Sequence, residues 1–351
     1  MVAGSVLTRA LYHAGMATLS PSGFPVVRPR RLRRSAALRD LVAEVEVGVH
    51  DLVAPLFVRE GIDHPQPIGS LPGVVQHTRD SLRAEVEQLA TLGVRSVILF
   101  GVPAQKDPVG SGAFDPEGIV QLALNDLVSD VGDSMVLMAD LCVDEYTSHG
   151  HCGIVDQHGV VDNDATLEIY AKAALAQARA GAHVVAPSGM MDGQVAAIRG
   201  ALDADGFDEV AILAYSAKYA SGLYGPFREA VDVEIAGGGD RKGYQQDWRN
   251  AREALSEVVA DVAQGADMVM VKPAVTYLDV IAAVRAAVDV PVAAYHVSGE
   301  YAMIHAAAAN GWIDGDLVAL EQLTAVKRAG AGIILTYFTR WFAEQAGGVQ
   351  R

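Results

Sequence analysis

The sequence predicts an α/β protein of the (β/α)8, or TIM-barrel, class with an N-terminal extension. Three observations predict it. Strand and helix patterns alternate almost end to end through eight repeats, which favours a closed parallel barrel over an open doubly wound sheet. No GxGxxG or GxxxxGKS/T run follows any strand, which removes the usual nucleotide-binding folds. Residues able to do chemistry collect where the apolar runs end, at the strand C-termini where such barrels build their active sites.

A length of 351 residues fits one large domain or two ordinary ones. The unbroken alternation favours one, a barrel over 46–351 behind an extension and arm over 1–45. Hydrophobic residues make up 51% of the chain, enough for a large core. A net charge of −16 argues against nucleic acid and anionic membrane as partners, and an acidic substrate would need local cations. No apolar window is long enough to span a membrane, and the N-terminus lacks the uninterrupted apolar segment of a secretion signal. Two cysteines make no disulfide framework, so a reducing cytoplasm is the expected location.

Residues 1–27 have weak periodicity and scattered Gly, Ser and Pro, and read as an extension. The basic run at 28–34 (RPRRLRR) is either a solvated arm or one that docks on an acidic neighbouring subunit. The first strand is 52–58 (LVAPLFV), followed by a helix over 80–92 with Asp80 as N-cap and Gly93 as its stop. Strand 96–102 precedes a helix over 116–128, and strand 135–143 an alanine-rich helix over 164–180 stopped by Gly181. The fourth strand is 183–187, ended by Ser188. The fifth begins at 211 and runs into Lys218, with a helix over 248–264 further on. The sixth, 267–271, runs into Lys272-Pro273 and a helix over 277–288. Strand 292–297 ends at Ser298, helices over 300–310 and 316–328 follow, and 332–338 is the last strand.

A lysine where a buried strand empties into a loop is unusual, because an unpaired buried ammonium is costly. Here it happens twice, at Lys218 and Lys272. Neighbouring strands lie about 5 Å apart, so lysines on adjacent strands would open into one cavity. Burial and mutual repulsion are expected to lower the pKa of both, and a neutral amine attacks a carbonyl to form a Schiff base. The bland alternative is that one of them pairs with a carboxylate and closes the barrel mouth. Between the two strands, 220–248 is long and glycine-rich, as a mobile lid would be. It carries Arg228, Arg241 and Gln245; either arginine could grip a substrate carboxylate through a bidentate fork, or be ordinary surface.

The segment after the third strand, DLCVDEYTSHGHCG, places Asp140, Cys142, Asp144, His151 and Cys152 within a short stretch. Thiolate, imidazole and carboxylate at this spacing can hold a metal, and three protein ligands plus water would be a catalytic arrangement. Two unpaired cysteines in a loop is the alternative.

The stretches YSAKYASGLYGPFR, MVMVKPA, YHVSGEY, YTSHGHCG, VVAPS and RAGAGIILTYF resemble the porphobilinogen synthase (5-aminolaevulinate dehydratase) family over about 28–342. The resemblance implies a (β/α)8 barrel that condenses two 5-aminolevulinate molecules to porphobilinogen. It implies Schiff bases on Lys218 and Lys272. Ser298 and Tyr337 would bind the carboxylate of the substrate on Lys272, and Arg228, Arg241 and Gln245 that of the other. Asp140 and Ser188 would line the cavity near the amino groups. It further implies a homo-octamer of dimers embracing through N-terminal arms, to which Arg28 to Arg34 corresponds. At the metal site, zinc-type members carry three cysteines and magnesium-type members none, whereas this chain has Cys142, Asp144 and Cys152. Two thiolates favour zinc, the carboxylate leaves magnesium open, and His151 is a possible fourth ligand. Glu257 stands where some members hold an allosteric magnesium, or is simply a solvated helix residue. Gly189 replaces the aspartate usual after the serine.

Two other readings compete: a class I aldolase-like barrel with a single Schiff base, and a non-catalytic relative that kept the barrel. Retention of both lysines and both carboxylate-binding sets argues against the second.

Overall fold

The structure, a computed structural model, describes residues 26–236 and 239–349, with the side chains of 347–349 excepted. Residues 1–25 of the expected extension, and Gly237 and Gly238 of the glycine-rich stretch, lie outside the described residues. The chain divides into two units, Met1–Glu46 and Val47–Arg351. In the first, the basic run forms an exposed 3-10 turn, Pro29–Arg33, before helix α1 (Ala36–Leu41). Ser35 caps that helix by accepting from Leu38 N at 3.3 Å, satisfying one of the free N–H groups of its first turn.

The second unit is the barrel. Its staves are β1 (Leu52–Arg59), β4 (Ser96–Val102), β5 (Val136–Leu141), β8 (Val184–Pro187), β9 (Ala211–Lys218), β10 (Met268–Lys272), β11 (Val292–His296) and β12 (Ile333–Thr336). They run parallel in that order, and β12 returns to β1 through Leu52↔Ile334 and Val53↔Leu335, so the sheet closes. Short strands β2 (Gln66–Pro67) and β3 (Val75–His77) extend the sheet beside β1, and β6 (Ile154–Val155) and β7 (Val161–Asp162) form a separate hairpin. The staves are buried on both faces, inward side chains filling the barrel and outward ones meeting helices, which is why they read as continuous apolar runs.

The helices are α2 (Arg79–Thr91), α3 (Ile119–Val131), α4 (Asn163–Arg179), α5 (Gln194–Ala204), α6 (Gly225–Ala230), α7 (Ala251–Ala263), α8 (Leu278–Ala287), α9 (Ser298–Ala309), α10 (Gly315–Ala329) and α11 (Thr339–Val349). Thr78, not Asp80, caps α2: its hydroxyl accepts from Ser81 N at 3.1 Å, and Asp80 falls inside the first turn. Helix α5 completes the repeat between β8 and β9 that the sequence left without one. Its N-cap is Gly193 at φ +78°, with no capping side chain, and Gly200 interrupts it, so neither usual signal marks it.

Alanines 173 and 174 of α4 are fully buried, so the helix can approach the sheet closely; one turn earlier, Tyr170 is buried as well. That ring reaches the loop after β5, where its hydroxyl donates to the Cys152 carbonyl at 2.7 Å. At the barrel mouth, Phe57, Phe100 and Phe227 pack with centroids 5.1–5.9 Å apart. Phe227 comes from α6, so the start of the 220–248 segment is anchored on the barrel's aromatic floor.

Candidate active site

Lys218 ends β9, Lys272 ends β10, and the two are Cα partners in the parallel register. Residues in register on adjacent parallel strands face the same side of a sheet, here the inside of the barrel. Lys218, Lys272, Asp140, Ser188, Arg228 and Arg241 line a single cavity. Six of the residues that the sequence singles out, from strand ends and the 220–248 segment, therefore lie around one cavity.

The two amines differ in their surroundings. The Lys272 ammonium sits 4.5 Å from the centroid of Tyr295, 5.1 Å from Tyr215 and Phe227, and 5.3 Å from Tyr224. Burial, and after it the charge of Lys218, bring its pKa down to about 7. Burial also acts to lower Lys218, but Cys152, Cys142 and Asp144 outweigh it, and its pKa is raised. The expectation of two lowered amines therefore holds for Lys272 alone: repulsion is not the only charge that Lys218 feels. Its Nζ donates to the Ser188 carbonyl, and the Ser188 hydroxyl in turn donates to Asp140 at 3.0 Å. Burial lifts the Asp140 carboxyl to about 6 against the pull of both lysines. Gln177 holds the Asp140 carbonyl at 2.8 Å and so fixes the end of β5.

On the Lys272 side, Ser298 follows β11 and accepts from Phe227 N at 3.0 Å. Tyr337 follows β12, with its hydroxyl 3.1 Å from that of Tyr295, one of the rings over Lys272. Arg228 is half-buried, and its Nε is buried with no hydrogen-bond partner among the described residues. Arg241 is buried, donates to the Gly150 carbonyl at 2.7 Å and pairs with Asp144 at 2.7 Å. Burial alone would raise the Asp144 carboxyl, but Arg241 and Lys218 hold it well below the usual carboxylate range. Gln245 lies next door rather than in the lysine cavity. It lines a second cavity with Glu257, Glu253, Asp192 and Asp240, and its Nε2 has no partner among the described residues. Glu257 is half-buried there, and burial first, then Asp261, Asp192 and Glu253, raise its carboxyl.

Cys142, Asp144 and Cys152 are all buried, and one ligand atom from each lies within 4.8 Å of the other two. Ligands of a tetrahedral ion at about 2.0–2.3 Å stand roughly 3.5 Å apart, so small movements would close the set. Two soft sulfurs and one oxygen suit a divalent metal in chemistry as well as position. His151 is not in this group; its Nδ1 lies 3.2 Å from the Tyr244 hydroxyl. Tyr244 also accepts from Cys152 N at 3.3 Å, and Ala236 N donates to the His149 carbonyl at 3.1 Å, so the 220–248 segment and the cysteine loop are stitched together.

The structure accounts for Gly189. A Cβ there would lie 1.7 Å from the Tyr170 hydroxyl, the group that supports Cys152 and stands 3.6 Å from Cys142 Sγ. Tyr170 occupies the room an aspartate would need. Sequence reasoning also missed Glu145, a buried carboxylate that lines the lysine cavity, and Glu300, buried at the start of α9. A carboxylate inside an otherwise apolar or motif-bearing segment was the available signal for both.

Fold and site together define a (β/α)8-barrel lyase built around two lysines. The delta-aminolevulinic acid dehydratase family model matches residues 26–345. The chain belongs to that family, and its activity is that of a porphobilinogen synthase, a hydro-lyase. Delta-aminolevulinic acid dehydratase of Mycobacterium tuberculosis is 58% identical over 331 residues, covering 94% of this chain and 99% of the relative. That of Streptomyces coelicolor is 58% identical over 325 residues, covering 92% and 97%. The crystal structure of the Toxoplasma gondii enzyme in complex with its reaction product porphobilinogen superposes with a TM-score of 0.89 at 43% identity, covering 91% of each chain.

Proposed function

We propose that the chain joins two molecules of 5-aminolevulinate by binding the ketone of each as a Schiff base, one on Lys272 and one on Lys218. The observation that carries this reading is the register pairing of the two lysines over one cavity. An amine with a pKa of about 7 is substantially neutral at physiological pH and can attack a ketone carbon. Each imine forms with loss of one water. The bond-forming steps then join a carbon next to one imine to the imine carbon of the other, and the amine of one substrate closes the ring. Both lysines are returned, and two waters leave overall.

Ser298 and Tyr337 hold the carboxylate of the substrate on Lys272, and Arg228 and Arg241, with Gln245 moving in from the adjoining cavity, that of the other. Asp140, lifted to about 6, and Ser188 hold and pass a proton beside Lys218. The segment 220–248 is a lid that closes on this assembly. Cys142, Asp144 and Cys152 would hold a divalent cation that supplies Lewis acidity beside Lys218, zinc being favoured by two sulfurs and magnesium the alternative. Glu257 belongs to a second, regulatory cation site. The protein acts in the cytoplasm as a homo-octamer in which the arms carrying Arg28 to Arg34 are exchanged.

A colour test for pyrrole in purified protein given 5-aminolevulinate checks the activity. Lys272→Ala should fold and lose turnover by at least about a thousandfold, as removal of a covalent catalyst does. Turnover near that of the unsubstituted chain would remove Lys272 from its role.

A further inference from the structure

The β10–β11 ladder ends at Val271↔Ala294, one residue short of Lys272 and four short of Ser298. Past that point the two chain segments that carry the Lys272 amine and the Ser298 hydroxyl are joined by a side chain. Glu300 is 1% exposed. Its Oε2 accepts from Val297 N at 2.7 Å and from Ala274 N at 3.4 Å, and its Oε1 from Val275 N at 2.6 Å. Val297 directly precedes Ser298, while Ala274 and Val275 are the second and third residues after Lys272. The bond to Val297 N is the half of a capping box that a valine N-cap permits, the carboxylate three residues into α9 accepting from the N-cap amide. The other two bonds reach across to the neighbouring strand's loop, where they satisfy free N–H groups at the start of the 3-10 turn Val275–Tyr277 that leads into α8. They tie the loop after β10 to the loop after β11 where sheet pairing has stopped.

We propose that Glu300 is a positioning residue for the substrate on Lys272: its carboxylate crosspiece sets the distance between the amine that takes the ketone and the hydroxyl that takes the carboxylate. This rests on the Schiff-base reading given above. Both ends of one substrate are then gauged by one buried carboxylate, whereas the Lys218 amine ends β9 and is held by the Ser188 carbonyl, not by the partners of Glu300. A carboxylate suits the task because it accepts several backbone N–H bonds at once and offers no donor to clash with them.

Two variants separate this role from capping alone. Glu300→Asp keeps the charge at the start of the helix but is one methylene too short to reach Val275. Glu300→Gln keeps the shape but turns an N–H donor toward backbone N–H groups. Each variant and the unsubstituted chain would be reduced with borohydride in the presence of 5-aminolevulinate, and labelling followed at the peptides of Lys272 and Lys218. With folding confirmed by melting curves, both variants should label Lys272 about tenfold more slowly relative to Lys218 and show a raised KM, a modest effect for a site displaced by a fraction of an ångström. An unchanged ratio in either folded variant overturns the proposal, as does unfolding of both, which would make Glu300 structural only. Absence of label on Lys272 in the unsubstituted chain would sink the Schiff-base reading itself, and this inference with it, and is told apart by needing no variant.

Discussion

Burial among four aromatic rings sets the proton affinity of Lys272, and the sign of the effect gives a pH prediction. Below about 7 the amine is protonated and has no lone pair to offer; above it the amine is free. Reductive trapping at Lys272 should therefore rise through a midpoint near 7, whereas a midpoint at the ordinary value of 10.5 would show that burial does not act as described. Gly189 gives a second prediction at this scale. With the Tyr170 hydroxyl 1.7 Å from any added Cβ, Gly189→Ala should cost about 3 kcal/mol of stability, in the range of overpacked cores. In a double-mutant cycle with Tyr170→Phe, which removes the clashing hydroxyl, the combined loss should fall short of the sum of the two single losses, and denaturant midpoints of the single and double variants check both. The lysines were legible because a charged residue at the end of an apolar run stands out. Gly189, by contrast, answers to a tyrosine 19 residues away in sequence, and the raised affinity of Lys218 to a cysteine loop on another strand, neither of which a local pattern reveals.

Among the elements, the 220–248 segment joins the barrel mouth to the cysteine loop. Its first helix is pinned by Phe227, while its later part is tied to the cysteine loop through Arg241 and Tyr244. Arg241→Ala would leave the buried Asp144 without its ion-pair partner, a change that in other buried pairs costs about 3–5 kcal/mol. The expected outcome is a KM raised at least about tenfold, with faster hydrogen exchange over 239–246 and unchanged exchange in the barrel strands. Unchanged kinetics would take Arg241 out of the site. The eight staves were readable from apolar runs because parallel strands are buried on both faces. Helices α5 and α11 were not: the first has a glycine at its cap and another inside, and the second contains Gly347-Gly348. Helix starts were off by a few residues for a related reason, since Thr78 competes with Asp80 to cap α2 and only the loop's path decides.

For the whole molecule, closure of the sheet brings together residues from β5, β8, β9 and β10 that lie up to 132 positions apart, from Asp140 to Lys272. Strand-end position alone predicted this convergence, while the placement of Gln245 beside Glu257 of α7 in a separate cavity depends on the path of the 220–248 segment. Chelation should abolish turnover, and add-back of zinc should restore it more fully than magnesium if the two sulfurs dominate the donor set. The central claim is that both amines capture substrate together, and borohydride reduction of the intact protein in the presence of 5-aminolevulinate, followed by peptide mapping, tests it most directly. Reduced adducts on both Lys218 and Lys272 are predicted; an adduct confined to one lysine, however long the incubation, would contradict it.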